Sequence, residues 1–149
     1  KTVDHSYVYS RTKTGGDLKH HSLSQWEKKL YSLILEVDHY LEKRYGDNFR
    51  RHPARPPHGQ TSSVSQDGVF SVTSNFSLGL GSQHGRGYTI DIKIVTLETV
   101  DPDTREAIEK DAIEKMRELL PDYFPDRELH LQQDGNVIKL YGDLSLGNI

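Results

Sequence analysis

Apolar residues recur at helical spacing in the first half of the chain, over about residues 24–45. Positions three and four apart lie on one face of a helix, so this segment is predicted to be an amphipathic helix. Ser24 and Glu27 have the spacing of a capping box, and Gly46 follows as a C-terminal stop. The residues of the apolar face are Trp26, Leu30, Leu33, Ile34, Val37 and Leu41.

A second helix is predicted in the segment that begins at Asp101. Asp101 is a suitable N-cap, Pro102 suits the first helical position, and Pro121 is expected to end the helix. The inner face consists of Ile108, Ala112, Met116, Leu119 and Leu120. The spacing therefore predicts a second amphipathic helix that packs against the same core.

Two segments between the helices alternate apolar and polar residues, as half-buried strands do. The apolar positions of the first segment are Phe70, Val72, Phe76, Leu78 and Leu80, and those of the second are Tyr88, Ile90, Ile92 and Ile94. The apolar phase changes after Ile94, which indicates a β-bulge or a change in what covers the strand. Each of these strands should therefore have one face exposed to solvent.

A hairpin is predicted near the end of the chain. Asp134-Gly135 is a strong signal for a two-residue turn. With these two residues as the turn, Leu131 would lie opposite Ile138, and Leu129 opposite Leu140.

The order helix–strand–strand–helix–strand–strand predicts an α+β fold. We expect a mainly antiparallel four-stranded sheet with the two helices on one face. Residues 1–22 are predicted to be a flexible arm, and 23–149 a single domain. Within this domain the segment at about 47–68 is rich in proline, arginine and serine, so it is expected to be a flexible linker.

Composition narrows the function classes. The 149 residues are 34% hydrophobic, carry a formal charge of −3 and include no cysteine, which excludes disulfides and thiolate chemistry. The negative total offers no general attraction to nucleic acid or anionic lipid. No apolar stretch is long enough to span a membrane. We expect a soluble protein without a membrane partner, and we favour a cytoplasmic location over export.

The segment Gly79–Tyr88 is the candidate binding site. Its glycines permit close backbone approach, and successive amide groups with an arginine can hold an anion. The spacing fits neither a dinucleotide fingerprint nor a phosphate loop, so a plain hairpin tip is the alternative. The predicted ligand-facing residues are Gly81, Ser82, His84, Arg86 and Tyr88.

The candidates for metal binding and catalysis are weaker. The eight histidines show no His-x-x-x-His pattern, so no metal and no cofactor is assigned. Asp91 and His130 both fall on the polar face of the sheet, and an enzyme centred on them stays open.

We therefore favour binding over catalysis. The predicted partner is another protein chain, including a second copy of this one, or a small anionic ligand held by residues 79–88. Tyr31, Tyr40 and Tyr45 flank the first helix's apolar face and are the candidates for association. The alternative is a nucleic-acid-binding module that uses the same loop together with Arg50, Arg51 and Arg55 of the basic linker.

Overall fold

The computed structural model describes residues 17–61, 66–77, 87–135 and 137–142, with side chains from Ser24 onward. The elements are α1 (Asp17–Tyr45), a single 3-10 turn (Gly46–Asn48), β1 (Phe70–Ser77), β2 (Gly87–Ile94), α2 (Pro102–Tyr123), β3 (Leu129–Asp134) and β4 (Val137–Gly142). All strand pairs are antiparallel, and the strand order is β1-β2-β4-β3. The predicted α+β fold, with a four-stranded antiparallel sheet packed against two helices, is confirmed.

One core joins the two helices to the sheet. Every residue predicted for the apolar faces of α1 and α2 is buried, together with the inward residues at the start of β1 and in β2. Trp26 of α1 packs on the ring of Phe124 and donates a hydrogen bond to Tyr88 of β2. Phe76 near the end of β1 stays 50% exposed, with its ring edge-on to Tyr88.

Both helices extend further than predicted. α1 begins at Asp17, just after Gly15-Gly16, so Ser24 lies inside the helix rather than at its N-cap. The pair of glycines is the nearest helix-breaking signal, whereas Ser24 and Glu27 have the spacing of a capping box without forming the start of the helix. α2 continues to Tyr123, because a proline in the last turn removes only one backbone donor. The predicted cap of α2 is confirmed, since the Asp101 carboxylate accepts from the amides of Asp103 and Thr104.

The predicted register of the last hairpin is wrong by two residues. Leu131 lies opposite Leu140, and the last pair of the hairpin is Asp134 opposite Val137, so Asp134 belongs to the strand and not to the turn. Gly135 has a φ of +64°, which suits a position where a hairpin turn needs positive φ. A shift of two residues keeps the same side chains on the core face, so the predicted apolar pattern could not detect the error.

The segment between α1 and β1 follows a defined path along the described residues. Arg51 forms an isolated bridge with Thr96, and the Thr96 hydroxyl donates to the Arg50 carbonyl at 2.6 Å. The segment from Gly46 to Val69, apart from residues 62–65, therefore makes more specific contacts than its polar composition indicates. Among the described helices, none is long and apolar enough to cross a membrane.

Candidate functional site

Four polar side chains converge between α1 and the segment that leads into β1. We call Asp38, Glu42, His58 and Asp67 the carboxylate–histidine cluster. Asp38 and Glu42 are four residues apart on α1 and so project from the same face of the helix. His58 and Asp67 come from the connecting segment, which brings them against that face.

Arg55 holds the connecting segment in place from within. Its guanidinium donates to three backbone carbonyl oxygens, those of Asp67 at 2.7 Å, Gly68 at 3.0 Å and Phe70 at 2.9 Å. Hydrogen bonds from a charged donor are stronger than neutral ones. Arg55 therefore ties the middle of the segment to the start of β1.

The carboxylate of Asp67 ties a second loop to the same place. Its Oδ2 accepts from the amides of Gly59 and Thr61, both at 3.1 Å, and from the Thr61 hydroxyl at 2.9 Å. All three bonds use one oxygen, so the other, Oδ1, is turned toward His58 at 3.5 Å from Nδ1. The loop contacts thus fix the orientation of this carboxylate.

Glu42 connects α1 to the first residues of the sheet. Its Oε2 accepts from the amides of Val69 at 2.7 Å and Phe70 at 2.8 Å. The carboxylate lies where a side chain on Gly68 would be, since a Cβ there would be 2.2 Å from Oε2. Gly68 also has a φ of +71°, a conformation that glycine adopts without strain.

Several atoms in the cluster are buried without a hydrogen bond. Asp38 is 0% exposed, and neither of its carboxyl oxygens has a hydrogen-bond partner among the described residues. The same holds for Oδ1 of Asp67 and Nδ1 of His58. His58 Nδ1 lies 3.9 Å from Asp38 Oδ1, too far for a hydrogen bond. Buried polar atoms are nearly always paired, so four such atoms in one place indicate a specific role.

The pKa of Asp38 is raised from 3.8 to about 8, and burial is the largest cause of this rise. The negative charges of Glu42 and Asp67 contribute to this rise. The Val72 backbone amide, which is near the carboxyl group but outside hydrogen-bond geometry, and the charge of Arg55 oppose it. The Asp38 carboxyl group is therefore protonated at neutral pH. A buried acid with a strongly shifted pKa marks a candidate functional site.

A cleft of about 670 Å³ opens above the cluster. His39 and His58 lie in it with His39 Nδ1 and His58 Nε2 3.0 Å apart, so one ring donates a hydrogen bond to the other. Three cationic side chains also line the cleft, those of Lys43, Arg50 and Arg51.

The residues predicted from the sequence lie elsewhere. Tyr88 is buried in the core, where its hydroxyl accepts from the Trp26 indole at 3.0 Å. The other four predicted ligand-facing residues, Gly81, Ser82, His84 and Arg86, lie outside the described residues, so the predicted loop site stays a prediction.

The structure does not bring Asp91 and His130 together. Asp91 is on β2 and His130 on β3, and β4 lies between these strands. Two strand spacings alone separate them by about 10 Å. The side chain of His130 instead lies against the ring of Tyr141.

Sequence reasoning missed the whole carboxylate–histidine cluster. One signal was present, because Asp38 lies four residues after Ile34 and three before Leu41, at the spacing of the buried face. An acid at such a position requires an explanation, since isolated buried charges are costly. Nothing comparable marks His58 or Asp67, whose position depends on the path of the loop.

The fold and this site define an α+β domain with a buried carboxylate–histidine cluster beneath a cleft. A family model described as "Uncharacterised protein" matches residues 21–142, and the chain belongs to that family. The chain is also similar to a protein of Borreliella burgdorferi named "Uncharacterized protein". The two are 42% identical over 119 residues, which cover 80% of this chain and 93% of that protein. No solved structure matches the chain.

Proposed function

We propose that this protein is a non-catalytic binding module that captures a small anionic ligand in the cleft between α1 and the described residues 46–61 and 66–69. The observation that carries this proposal is the set of three cations, Lys43, Arg50 and Arg51, which outnumber the acids Glu42 and Asp47 around a cleft of about 670 Å³. This volume falls in the range of small-molecule sites. Cations that line a concave surface concentrate their field and attract anions.

The two arginines are placed to take up an anion. The Arg50 side chain is 85% exposed and lies 3.7 Å from Glu98, a surface pair of low energy that a ligand can replace. Arg51 donates from Nε to the Arg55 carbonyl at 2.7 Å, which holds its guanidinium near the cleft. Below them, Nε2 of His39, which takes no part in the contact with His58, adds a ring nitrogen that can donate to a ligand.

A second cleft, of about 560 Å³, lies beside the end of α2 and β3, and it supports this function less well. Its two arginines are already engaged in the fold. Arg117 donates to the Leu131 carbonyl, and the Arg127 guanidinium lies over the Trp26 ring. The α1 cleft, in contrast, borders the buried polar atoms that have no hydrogen-bond partner among the described residues.

The two other partner hypotheses receive less support from the contacts. Of the three arginines proposed for nucleic acid, Arg55 points inward to backbone carbonyls. Of the tyrosines proposed for association, Tyr45 donates to Asp111 and Tyr40 lies under the ammonium group of Lys115, so both contribute to the packing of α1 on α2. A small anionic ligand, in contrast, needs only the cations that line the cleft, which are Lys43, Arg50 and Arg51.

Isothermal titration calorimetry of chelator-treated protein with pyrophosphate and with citrate tests the proposal. We expect Arg50→Ala to weaken binding by about tenfold, the equivalent of about 1.4 kcal/mol for one charge-assisted contact. Lys93→Ala is the matched control, because it removes one positive charge from the exposed face of β2. This variant should bind as the wild type does.

Equal weakening in both variants would mean attraction by net charge alone and would contradict the proposal, as would an absence of binding to the wild type. Arg86→Ala distinguishes the two candidate sites. Affinity that is lost in Arg86→Ala and kept in Arg50→Ala would place the ligand at residues 79–88 and remove the cleft from the function.

A further inference from the structure

We infer that the carboxylate–histidine cluster is a binding site for one divalent transition-metal ion, with Asp38, Glu42 and His58 as ligands and Asp67 as a fourth donor. This inference does not depend on the proposed anion binding. It starts from the atoms that the fold buries and leaves without a hydrogen bond among the described residues. Both oxygens of Asp38, Oδ1 of Asp67 and Nδ1 of His58 are such atoms.

These atoms are acceptors or lone-pair donors that face one another. With Nδ1 of His58 unprotonated, the proton on Asp38 is the one hydrogen that these atoms can share, because carboxylate oxygens carry none. A cation among them would satisfy all of them at once. The proton on Asp38 relieves part of the repulsion between the carboxyl groups, but it can form a hydrogen bond with only one of the other buried atoms.

The distances suit a metal ion. One donor atom each from Asp38, Glu42 and His58 lie within 4.8 Å of one another. Ligand atoms at about 2.1 to 2.2 Å from an ion are at most about 4.4 Å apart. Small rotations of the side chains would therefore bring the three donors to bonding distance, without movement of α1.

The surroundings orient each ligand for this role. Glu42 is held through Oε2 by the amides of Val69 and Phe70. Asp67 is held through Oδ2 by Gly59 and Thr61. In both carboxylates the contacts use one oxygen and leave the other for a metal. Such outer contacts to metal-binding side chains are usual in metalloproteins.

The histidine pair supports the same assignment. His58 Nε2 lies 3.0 Å from Nδ1 of His39. If His58 binds a metal through Nδ1, its proton is on Nε2 and is donated to His39. A metal-binding histidine commonly donates its second ring N–H in this way.

The donor set indicates the class of metal. One imidazole with two or three carboxylates suits Zn²⁺, Mn²⁺ or Fe²⁺, whereas sites for Ca²⁺ and Mg²⁺ consist of oxygen ligands. Charge points to the same conclusion, because the cluster holds three carboxyl groups, and Arg55, whose charge acts on Asp38, donates its hydrogen bonds to backbone carbonyls. A divalent cation would balance the charge that a single guanidinium does not.

The test is a titration of tag-free, chelator-treated protein with ZnCl₂ and with MnCl₂, in the absence of any anionic ligand. Calorimetry should show one equivalent bound for at least one of the two ions. Asp38→Asn, which keeps the size of the side chain, should weaken this binding by at least about 100-fold, because the loss of a ligand exceeds the effect of losing an outer contact. Glu42→Gln and His58→Ala should weaken it as well.

The matched controls are Asp91→Asn and His130→Ala, which change the same residue types at exposed positions of the sheet. Both should bind the metal as the wild type does. Circular dichroism shows whether each variant is folded. If His58→Ala does not fold, the metal affinity of Asp38→Asn alone tests the inference.

Affinity that is unchanged in folded Asp38→Asn, or equally reduced in the controls, would overturn the inference, and so would a wild type that binds neither ion. Metal binding without pyrophosphate or citrate binding would leave this inference standing and refute only the proposed function.

Discussion

Replacement of Gly68 by alanine should be among the most damaging single-methyl changes in this chain. Gly68 has a φ of +71°, and a Cβ there would lie 2.2 Å from Glu42 Oε2 and 2.7 Å from its Cδ. Contacts this short are not tolerated, so the Glu42 carboxylate would have to move. That movement would break the two bonds that it accepts from Val69 and Phe70.

The magnitude follows from these contacts. A non-glycine residue in the left-handed region costs about 1 kcal/mol. Loss of a hydrogen bond to a charged group costs about 1.5 kcal/mol or more, and two such bonds are at stake. The free energy of unfolding should therefore fall by about 4 kcal/mol, a large part of the stability of a typical domain.

Gly59→Ala is the matched control. Gly59 also has positive φ, +89°, but a Cβ there would meet nothing within 4 Å. This variant should lose about 1 kcal/mol from backbone strain alone. Urea unfolding of both variants, followed by far-UV circular dichroism at pH 7, measures the difference, which we expect to be about 3 kcal/mol. If the two variants lose the same stability, the contact between Glu42 and the start of β1 does not stabilise the fold as argued.

Two further changes test other parts of the structure. Asp38 has a pKa of about 8 in the folded protein and an ordinary value of 3.8. In chelator-treated protein this carboxyl group therefore takes up a proton on folding between about pH 4 and pH 8. Its contribution to the free energy of unfolding should fall by about 1.4 kcal/mol per pH unit within this window, and Asp38→Asn should abolish the fall. A difference between variant and wild type that does not change from pH 5 to pH 7 in urea melts would contradict this. Asp101→Ala removes the cap of α2 and should lower the free energy of unfolding by about 1 kcal/mol in the same assay. Asp103→Ala, two residues further along, should lower it by less. Equal losses in the two variants would mean that the cap does not stabilise the helix.

The sequence by itself determined the order of the elements and the side of each that faces the core. Trp26 to Leu41 on α1 and Tyr88 to Ile92 on β2 could be assigned because helices and strands repeat at 3.6 and 2 residues. Apolar burial along such a repeat is a local property, so it can be read without knowledge of the partners. The register of the last hairpin was less accessible, because a shift of two residues leaves the apolar face of a strand unchanged. The start of α1 was less accessible as well, since Ser24 and Glu27 have the spacing of a capping box inside the helix.

Only the tertiary structure decided where the polar residues meet. Glu42 accepts hydrogen bonds from amides 27 and 28 residues further along the chain. His58, from the connecting segment, lies beside Asp38 of α1 and beside Asp67. The path of the segment between them is set by Arg55 and Asp67, whose hydrogen bonds go to particular backbone groups rather than to a repeating pattern. Such bonds leave no periodic trace in the sequence, because each depends on where a loop happens to return. The core could therefore be predicted from the chain, while the cluster beneath the cleft exists only once the loop has packed against α1.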